Sequence, residues 1–295
     1  MTWKQRLGSA TPLVLLTVLT IPVIVGYVWI MISTFSQRTY GLVPVDREGN
    51  FGGLTFENWS FLWDDPHIWN VTFNTIVLAV LLTVGVLVIS AMAGYALSRI
   101  SFPGRKTFLS GTLILHAFPS VTLLISIYFV LRWIGQIPVI GKGLPVIGGF
   151  GYDTVGGVAL VMVALQLPLG VWLMKGFFDN VSWDMERAAL IDGCSRLRVW
   201  WEIMLPSIRP GIAALSIFTF IGGWGAYLIP YTYITDQQRS TISAYLRALS
   251  GDTSPVNYSR IASVGVFQLI PVLIFFIFTQ EYLLSIFGGG TKGGA

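Results

Sequence analysis

The chain has 295 residues, of which 54% are hydrophobic and 11% charged, with a mean hydropathy of +0.72, whereas a soluble globular domain carries about 25% charged residues. That deficit excludes an ordinary cytosolic enzyme, and the 11 Trp, 11 Tyr and 19 Phe exclude low-complexity disorder. The net charge of +4 comes from Lys and Arg scattered between apolar runs without a basic stripe, so no nucleic-acid partner is expected.

A transmembrane helix needs about 20 apolar residues. The first run of that kind, 12–35, follows Lys4 and Arg6 and exceeds the apolar core of a cleaved signal, so it reads as a retained span. Further runs at 71–97, 108–134, 155–178, 212–233 and 261–287 are each long enough to cross with some tilt. The expected fold is therefore all-α and integral to the membrane, one transmembrane domain over 1–295 with six helices. Six crossings put both termini on one side. The segments on that side hold Lys4, Arg6, Arg99, Arg105, Lys106, Lys175, Arg187, Arg196, Arg198, Arg209 and Lys292, against Arg38, Arg47, Arg132, Lys142, Arg239, Arg247 and Arg260 on the other. Cytoplasmic loops carry the excess, so both termini are expected to be cytoplasmic.

The connection at 36–70 is long, aromatic and without a clear element pattern. Pro119, Pro168 and Pro271 fall inside the third, fourth and sixth runs. Proline removes a backbone donor, and a break at that depth must be satisfied by protein or a wet cavity. Kinks that only shape packing are the plainer reading of all three, because proline is ordinary in membrane helices.

The most informative connection is 179–210, DNVSWDMERAALIDGCSRLRVWWEIMLPSIRP, between the fourth and fifth runs. Ser182 can cap a helix beginning at Trp183, with Asp184 and Glu186 in the first turn, where the helix dipole favours acids. Gly193, free to take a positive φ, ends that helix near Asp192 and turns the chain. Ser195 can cap a second helix to about Leu205, in which Leu197, Trp201, Met204 and Ile208 fall near one face and Arg198 and Glu202 pair at i, i+4. Pro206 and Pro210 then end it. An interfacial anchor would present a basic polar face. Here Asp184, Glu186, Asp192 and Glu202 are mixed with Arg187, Arg196, Arg198 and Arg209, which suits either docking to a protein or a packed cytoplasmic loop.

The run ERAALIDGC followed by WEIMLPSIRP resembles the signature loop of membrane permease subunits in ATP-binding-cassette importers. That pattern is Glu-Ala-Ala, three residues, Gly, then about nine residues to Ile-x-Leu-Pro. Ala188, Ala189, Gly193, Ile203, Leu205 and Pro206 fall on it, and Asp192 before Gly193 resembles the sugar-importer version. The family's Glu is replaced by Arg187, with Glu186 one place earlier. Further likeness to the second permease of maltose-type carbohydrate importers is spread over most of the chain: LTFENW at 54–59, Asn74 with Thr75, AGYALSRISFPGR at 93–105, Phe118 with Pro119, IPVLIFFIFTQEYL, and the GGTKGG tail. A second departure is Trp224-Gly225-Ala226-Tyr227, where the family usually has Trp-Asn-Glu-Phe.

The resemblance implies a permease of the bacterial-type inner membrane that pairs with a homologous permease, two ATPase subunits and an external solute-binding protein to import a carbohydrate. ATP and Mg would be used by the ATPase, and the chain itself would bind no cofactor. The glycine-turned helices would be seated in the ATPase, with Glu186, Arg187, Ala188, Ala189, Asp192, Gly193, Ile203, Leu205 and Pro206 as the coupling residues. Lys292 would be a tail contact to the ATPase, and the loop at 251–255 resembles one that touches the binding protein.

Nothing in the chain itself looks catalytic. GQIPVIGKG at 135–143 has one residue too many for a phosphate loop and ends in Gly143 rather than Ser or Thr. No nucleophile and base cluster, Cys194 is the single cysteine, and His67 and His116 do not make a metal set. Candidates for a substrate path are polar or aromatic groups within the runs: Asn74, His116, Gln166, Trp224, Tyr227 and Gln268. Amides in membrane helices also simply join helices. A permease for a non-sugar solute, a self-sufficient secondary transporter and a membrane scaffold are the competing readings; the transporter would need its own deep ion-coupling site.

Overall fold

The structure, a computed structural model, describes residues 3–251 and 256–288. The expected contact loop at 251–255 and the tail residue Lys292 therefore lie outside the described residues, apart from Gly251.

In chain order the elements are α1 (Trp3–Thr34), a hairpin of β1 (Arg38–Tyr40) and β2 (Val43–Val45), a 3-10 turn (Glu57–Trp59), α2 (Phe61–Asp64) and α3 (His67–Arg99). There follow α4 (Arg105–His116), a 3-10 turn (Ser120–Leu123), α5 (Leu124–Ile134), α6 (Val155–Asp179), α7 (Trp183–Ile191) and α8 (Arg196–Val199). A π turn (Trp200–Met204), α9 (Leu205–Ser207), α10 (Arg209–Trp224), α11 (Leu228–Tyr233), a 3-10 turn (Gln237–Arg239), α12 (Ile242–Ala248) and α13 (Tyr258–Gly288) complete the chain. Among the described residues, four helices are long and apolar enough to cross a membrane, or up to six if each of two bent pairs is one span. The chain is a mostly helical, multi-pass membrane protein.

Two compact units form. One comprises the described residues up to Trp69 with Tyr245–Ile270, the other Asn70–Ala244 with the described residues from Pro271. In the first, the connection that the sequence left unparsed contains the hairpin, paired Arg38↔Val45, Thr39↔Pro44 and Tyr40↔Val43, with Gly41 at a φ of +59° in the turn. The Asn58 side chain donates to the carbonyls of Thr34 (3.3 Å) and Ser36 (2.8 Å), and Thr34 Oγ1 donates to Ser263 Oγ at 2.6 Å. Buried backbone carbonyls at the end of α1 are thereby satisfied, as a buried acceptor requires.

In the second unit the core runs through Leu78, Leu82 and Val86 of α3, Val158, Ala159, Val161, Met162, Val163 and Met174 of α6, and Met204, Ile208 and Leu215 around α9 and α10. Small residues let these helices approach. A β-carbon on Gly223 of α10 would lie 2.7 Å from the Ala79 Cα, and one on Gly94 of α3 would lie 2.8 Å from the Lys175 amide nitrogen.

Two of the expected runs are not single continuous helices. The run 108–134 is not one helix: α4 and the segment Ser120–Ile134 meet at 89° across 117–119. Pro119 is extended, with ψ 123°, and its ring prevents a continuous ladder. Its carbonyl accepts from both the amide and the hydroxyl of Thr122. Pro168 and Pro271, by contrast, sit within unbroken α6 and α13. The run 212–233 is also divided, because α10 stops at Trp224 and α11 restarts at Leu228. With 16 residues α10 reaches only about 24 Å, less than the ~30 Å hydrocarbon layer.

Asp153 holds the two connections beside α6 together. Its carboxylate accepts from the amides of Thr235 (2.8 Å) and Asp236 (3.1 Å), and its carbonyl accepts from Arg239 Nη1 at 2.8 Å. Burial pushes the Asp153 carboxyl up, but these amide bonds and the Arg239 charge outweigh it and leave the group below its ordinary range. Because the folded value is depressed, this contribution is complete above the unfolded value near pH 4 and disappears as pH falls through the folded value. Protection of the Thr235 and Asp236 amides, taken as the exchange rate relative to the intrinsic rate at each pH, is therefore expected to fall on acidification below about pH 4. An Asp153→Asn chain should exchange faster already at neutral pH, with little further acid response from this contact.

Candidate docking surface

Local chemistry builds the glycine-turned pair of helices. Ser182 Oγ accepts from the Asp184 amide at 3.2 Å and Ser195 Oγ from the Arg198 amide at 3.3 Å, so both expected caps are present. Gly193 has a φ of +86°, its amide donates to the Leu190 carbonyl at 3.2 Å, and the Cys194 amide donates to Ala189 at 3.1 Å. Those two bonds are the Schellman closure of α7. A β-carbon at 193 would meet nothing within 4 Å, so the requirement there is backbone conformation alone. Gly193→Val is expected to cost about 1–2 kcal/mol, the penalty for a left-handed residue with a β-carbon, whereas Gly193→Asn should cost distinctly less; melting curves of the two chains check this.

The predicted coupling residues divide into two groups. Arg187, Ala188, Asp192 and Gly193 are exposed, and with them Ile191 at 85%. Ala189 is buried in the core, and Ile203 and Leu205 pack half-buried against it, as does Cys194. Pro206 is half-buried in the first turn of α9. The expected apolar face of the second helix is also split: Leu197 and Trp201 are 75% and 66% exposed, whereas Met204 and Ile208 are buried. The π turn Trp200–Met204 explains this. Its i→i+5 bonds wind more slowly than an α-helix, so residues that share an α-helical face drift apart. Arg198 and Glu202 do pair, at 2.9 Å on the surface, where such a pair contributes little.

Glu186 points inward. Its carboxylate meets Arg99 Nε at 2.8 Å, with side-chain exposures of 9% and 4%, and accepts from the Tyr95 hydroxyl at 2.5 Å. Arg99 Nη2 also donates to the Val181 carbonyl at 2.8 Å, and the guanidinium lies 4.6 Å from the centre of the Trp183 ring. The first turn of α7 is thus clamped onto the last turns of α3. Tyr95, Arg99 and Trp183 join the site without being predicted from the sequence as coupling residues. The signal for Tyr95 and Arg99 is present in AGYALSR, where they stand at i, i+4 and so share a helix face. Arg187 stays outside, its guanidinium 5.7 Å from the centre of the Trp183 ring. An exposed cation therefore stands at the position where the importer pattern has an acid.

The candidate path residues are dispersed. Asn74 Nδ2 donates to the carbonyls of Gln238 (2.8 Å) and Ser240 (3.2 Å), so it joins α3 to a connection. His116 Nδ1 lies 3.2 Å from the Leu165 carbonyl at the end of α4. Trp224 is 1% exposed and stacks on Phe220, so its ring presents no open face. Gln268 belongs to the first unit. Gln166, half-buried and facing Gly222, and Tyr227, stacked on Tyr231, have side-chain polar atoms without a hydrogen-bond partner among the described residues. No group of three His, Cys, Asp or Glu able to hold a metal occurs among the described residues.

A family model described as binding-protein-dependent transport system inner membrane component matches residues 85–285. Among curated proteins, the chain is 28% identical to a diacetylchitobiose uptake system permease protein of Streptomyces coelicolor, over 98% of this chain and 90% of that one. It is 27% identical to a maltodextrin transport system permease protein of Bacillus subtilis, over 98% of both. Among solved structures, a chain of a bacterial ABC transporter involved in the import of the acidic polysaccharide alginate superposes with a TM-score of 0.77 at 20% identity, covering 96% of this chain and 99% of that chain, which shows a shared fold.

Proposed function

Because the chain belongs to the family of binding-protein-dependent transport system inner membrane components, we infer that it is the permease subunit of an ATP-driven importer and that its cargo is a carbohydrate. The observation that carries the coupling role is the capped, glycine-turned pair of helices that presents Arg187, Ala188, Ile191 and Leu197 outward within the matched residues. Exposed apolar side chains rimmed by both signs of charge suit a protein partner. That partner is an ATPase subunit, two per importer, and it binds the ATP and Mg²⁺. A second, homologous permease and an external binding protein complete the assembly.

In this reading the whole chain is one permease domain with six crossings, the α4–α5 bend and the α10–α11 break being interruptions of single spans. Both termini and the α7–α8 surface face the cytoplasm, as the Lys and Arg distribution favours. The carbohydrate reading rests on relatives named for diacetylchitobiose and maltodextrin transport along nearly the whole chain. Gln166 and Tyr227 are the side chains best suited to meet a sugar, one through its amide and the other through a ring face.

Cross-linking from Cys194, the only thiol, tests the coupling role in membranes. Capture of an ATP-hydrolysing subunit that changes with added ATP is the expected result. A Cys194 that is readily alkylated yet captures no such subunit in either condition would sink the importer reading and favour a self-sufficient transporter.

A further inference from the structure

The attachment of Glu186 to one end of α3 has a counterpart at the other end of α3. α3 has 33 residues and no internal proline, so it spans about 50 Å as one rod. At its C-terminal end Tyr95 and Arg99 hold Glu186, and Arg99 also holds the Val181 carbonyl and the Trp183 ring. Near its N-terminal end Asn74 holds the carbonyls of Gln238 and Ser240, Asn70 Nδ2 donates to Gln238 Oε1 at 3.2 Å, and Thr75 Oγ1 accepts from the Ile242 amide at 2.9 Å. Both attachments use side chains of a single element.

We propose that Glu186 is a positioning residue that locks the docking surface to α3, and that α3 carries displacement of that surface to the segment 237–242 at its far end. Coupling between distant sites requires one element whose position both sites bias, and α3 is attached by side chains to both. Glu186 therefore works within the chain and leaves the outward contact to Arg187 and Ile191. The transmission part rests on the importer reading; the lock does not.

Two measurements test it. In the isolated full-length chain, the rate at which N-ethylmaleimide alkylates Cys194 reports release of α7. Glu186→Gln should raise that rate about tenfold by easing a local opening, and Tyr95→Phe should raise it less. The exchange of Arg99→Glu with Glu186→Arg should return it toward the starting value, a rescue that lost packing would not give. An unchanged rate in Glu186→Gln overturns the lock.

In the complex reconstituted with its ATPase subunits, a Gln237→Cys chain in a Cys194→Ser background reports the far end, since Gln237 is exposed. Its alkylation rate should differ between nucleotide-free and ATP-plus-vanadate conditions, and adding Glu186→Gln should remove the difference while ATP hydrolysis continues. A difference that survives Glu186→Gln, or one absent from the start in a complex that hydrolyses ATP, overturns the transmission and leaves the importer reading standing. If no ATPase subunit associates, the importer reading and the transmission fail together, and the Cys194 measurement still decides the lock.

Discussion

Arg99→Ala is expected to destabilise the chain by about 3–5 kcal/mol, the cost of leaving a buried carboxylate without its partner. Glu186 would keep only the Tyr95 hydroxyl, and the Val181 carbonyl and the Trp183 ring would lose their cation as well. The expected measurement is a large drop in the thermal midpoint in detergent. A buried pair is not itself a strong source of net stability, because desolvating two charges cancels much of their attraction. The double replacement Arg99→Met with Glu186→Leu should therefore lie within about 1 kcal/mol of the original chain. Should the double chain melt as low as Arg99→Ala, the attraction within the pair outweighs the desolvation of its two charges and the pair contributes net stability.

Gly94→Leu is the second substitution with a large expected effect. A β-carbon at 94 would already sit 2.8 Å from the Lys175 amide nitrogen and 2.9 Å from the Met174 Cβ. The obstacle is helix backbone, which cannot rotate aside as a flexible side chain could. Overpacking costs about 1–3 kcal/mol and more where the backbone must move, so α3 and α6 are expected to separate at this crossing. Gly176→Ala is the control on the neighbouring turn of α6, where a β-carbon meets nothing within 4 Å. It should be neutral or stabilise by up to about 1 kcal/mol, as alanine replaces glycine within a helix. Equal melting temperatures for the two chains would show that the α3–α6 crossing is looser than its geometry implies.

The docking surface was legible where its determinants are local. Ser182, Ser195 and Gly193 act on amides and carbonyls within five residues of themselves, so their roles could be read from spacing and are present in the structure. The apolar runs were legible for the same reason, since membrane spans are selected by hydropathy within one segment. The helix faces were less so. Leu197, Trp201, Met204 and Ile208 share a face only under uniform α-helical winding, and the π turn at Trp200–Met204 breaks that assumption.

Three prolines gave the same sequence signal, yet Pro119 breaks its helix and Pro168 and Pro271 do not. At Pro119 the backbone is extended and the chain restarts as the 3-10 turn at Ser120, with Thr122 bonded to the Pro119 carbonyl, whereas Pro168 and Pro271 have helix on both sides, a difference that the residue type alone does not carry. In the same way, Trp224 read as an available ring until packing placed it in the core, stacked on Phe220.

By itself the sequence determined that this is a multi-pass helical membrane protein of the importer permease family, with a capped and glycine-turned connection after its fourth apolar run. Composition, periodicity and short-range hydrogen bonding are properties of contiguous residues, and they needed no knowledge of the rest of the chain. Only the tertiary structure decided which charge of that connection faces inward. Glu186 and Arg187 are adjacent and equally polar in sequence, and the choice between them was made by Arg99 and Tyr95, brought from α3 to within hydrogen-bonding distance. A buried carboxylate is tolerable only where a cation and a donor are already in place, and that condition is set by the packing of α3 against α7.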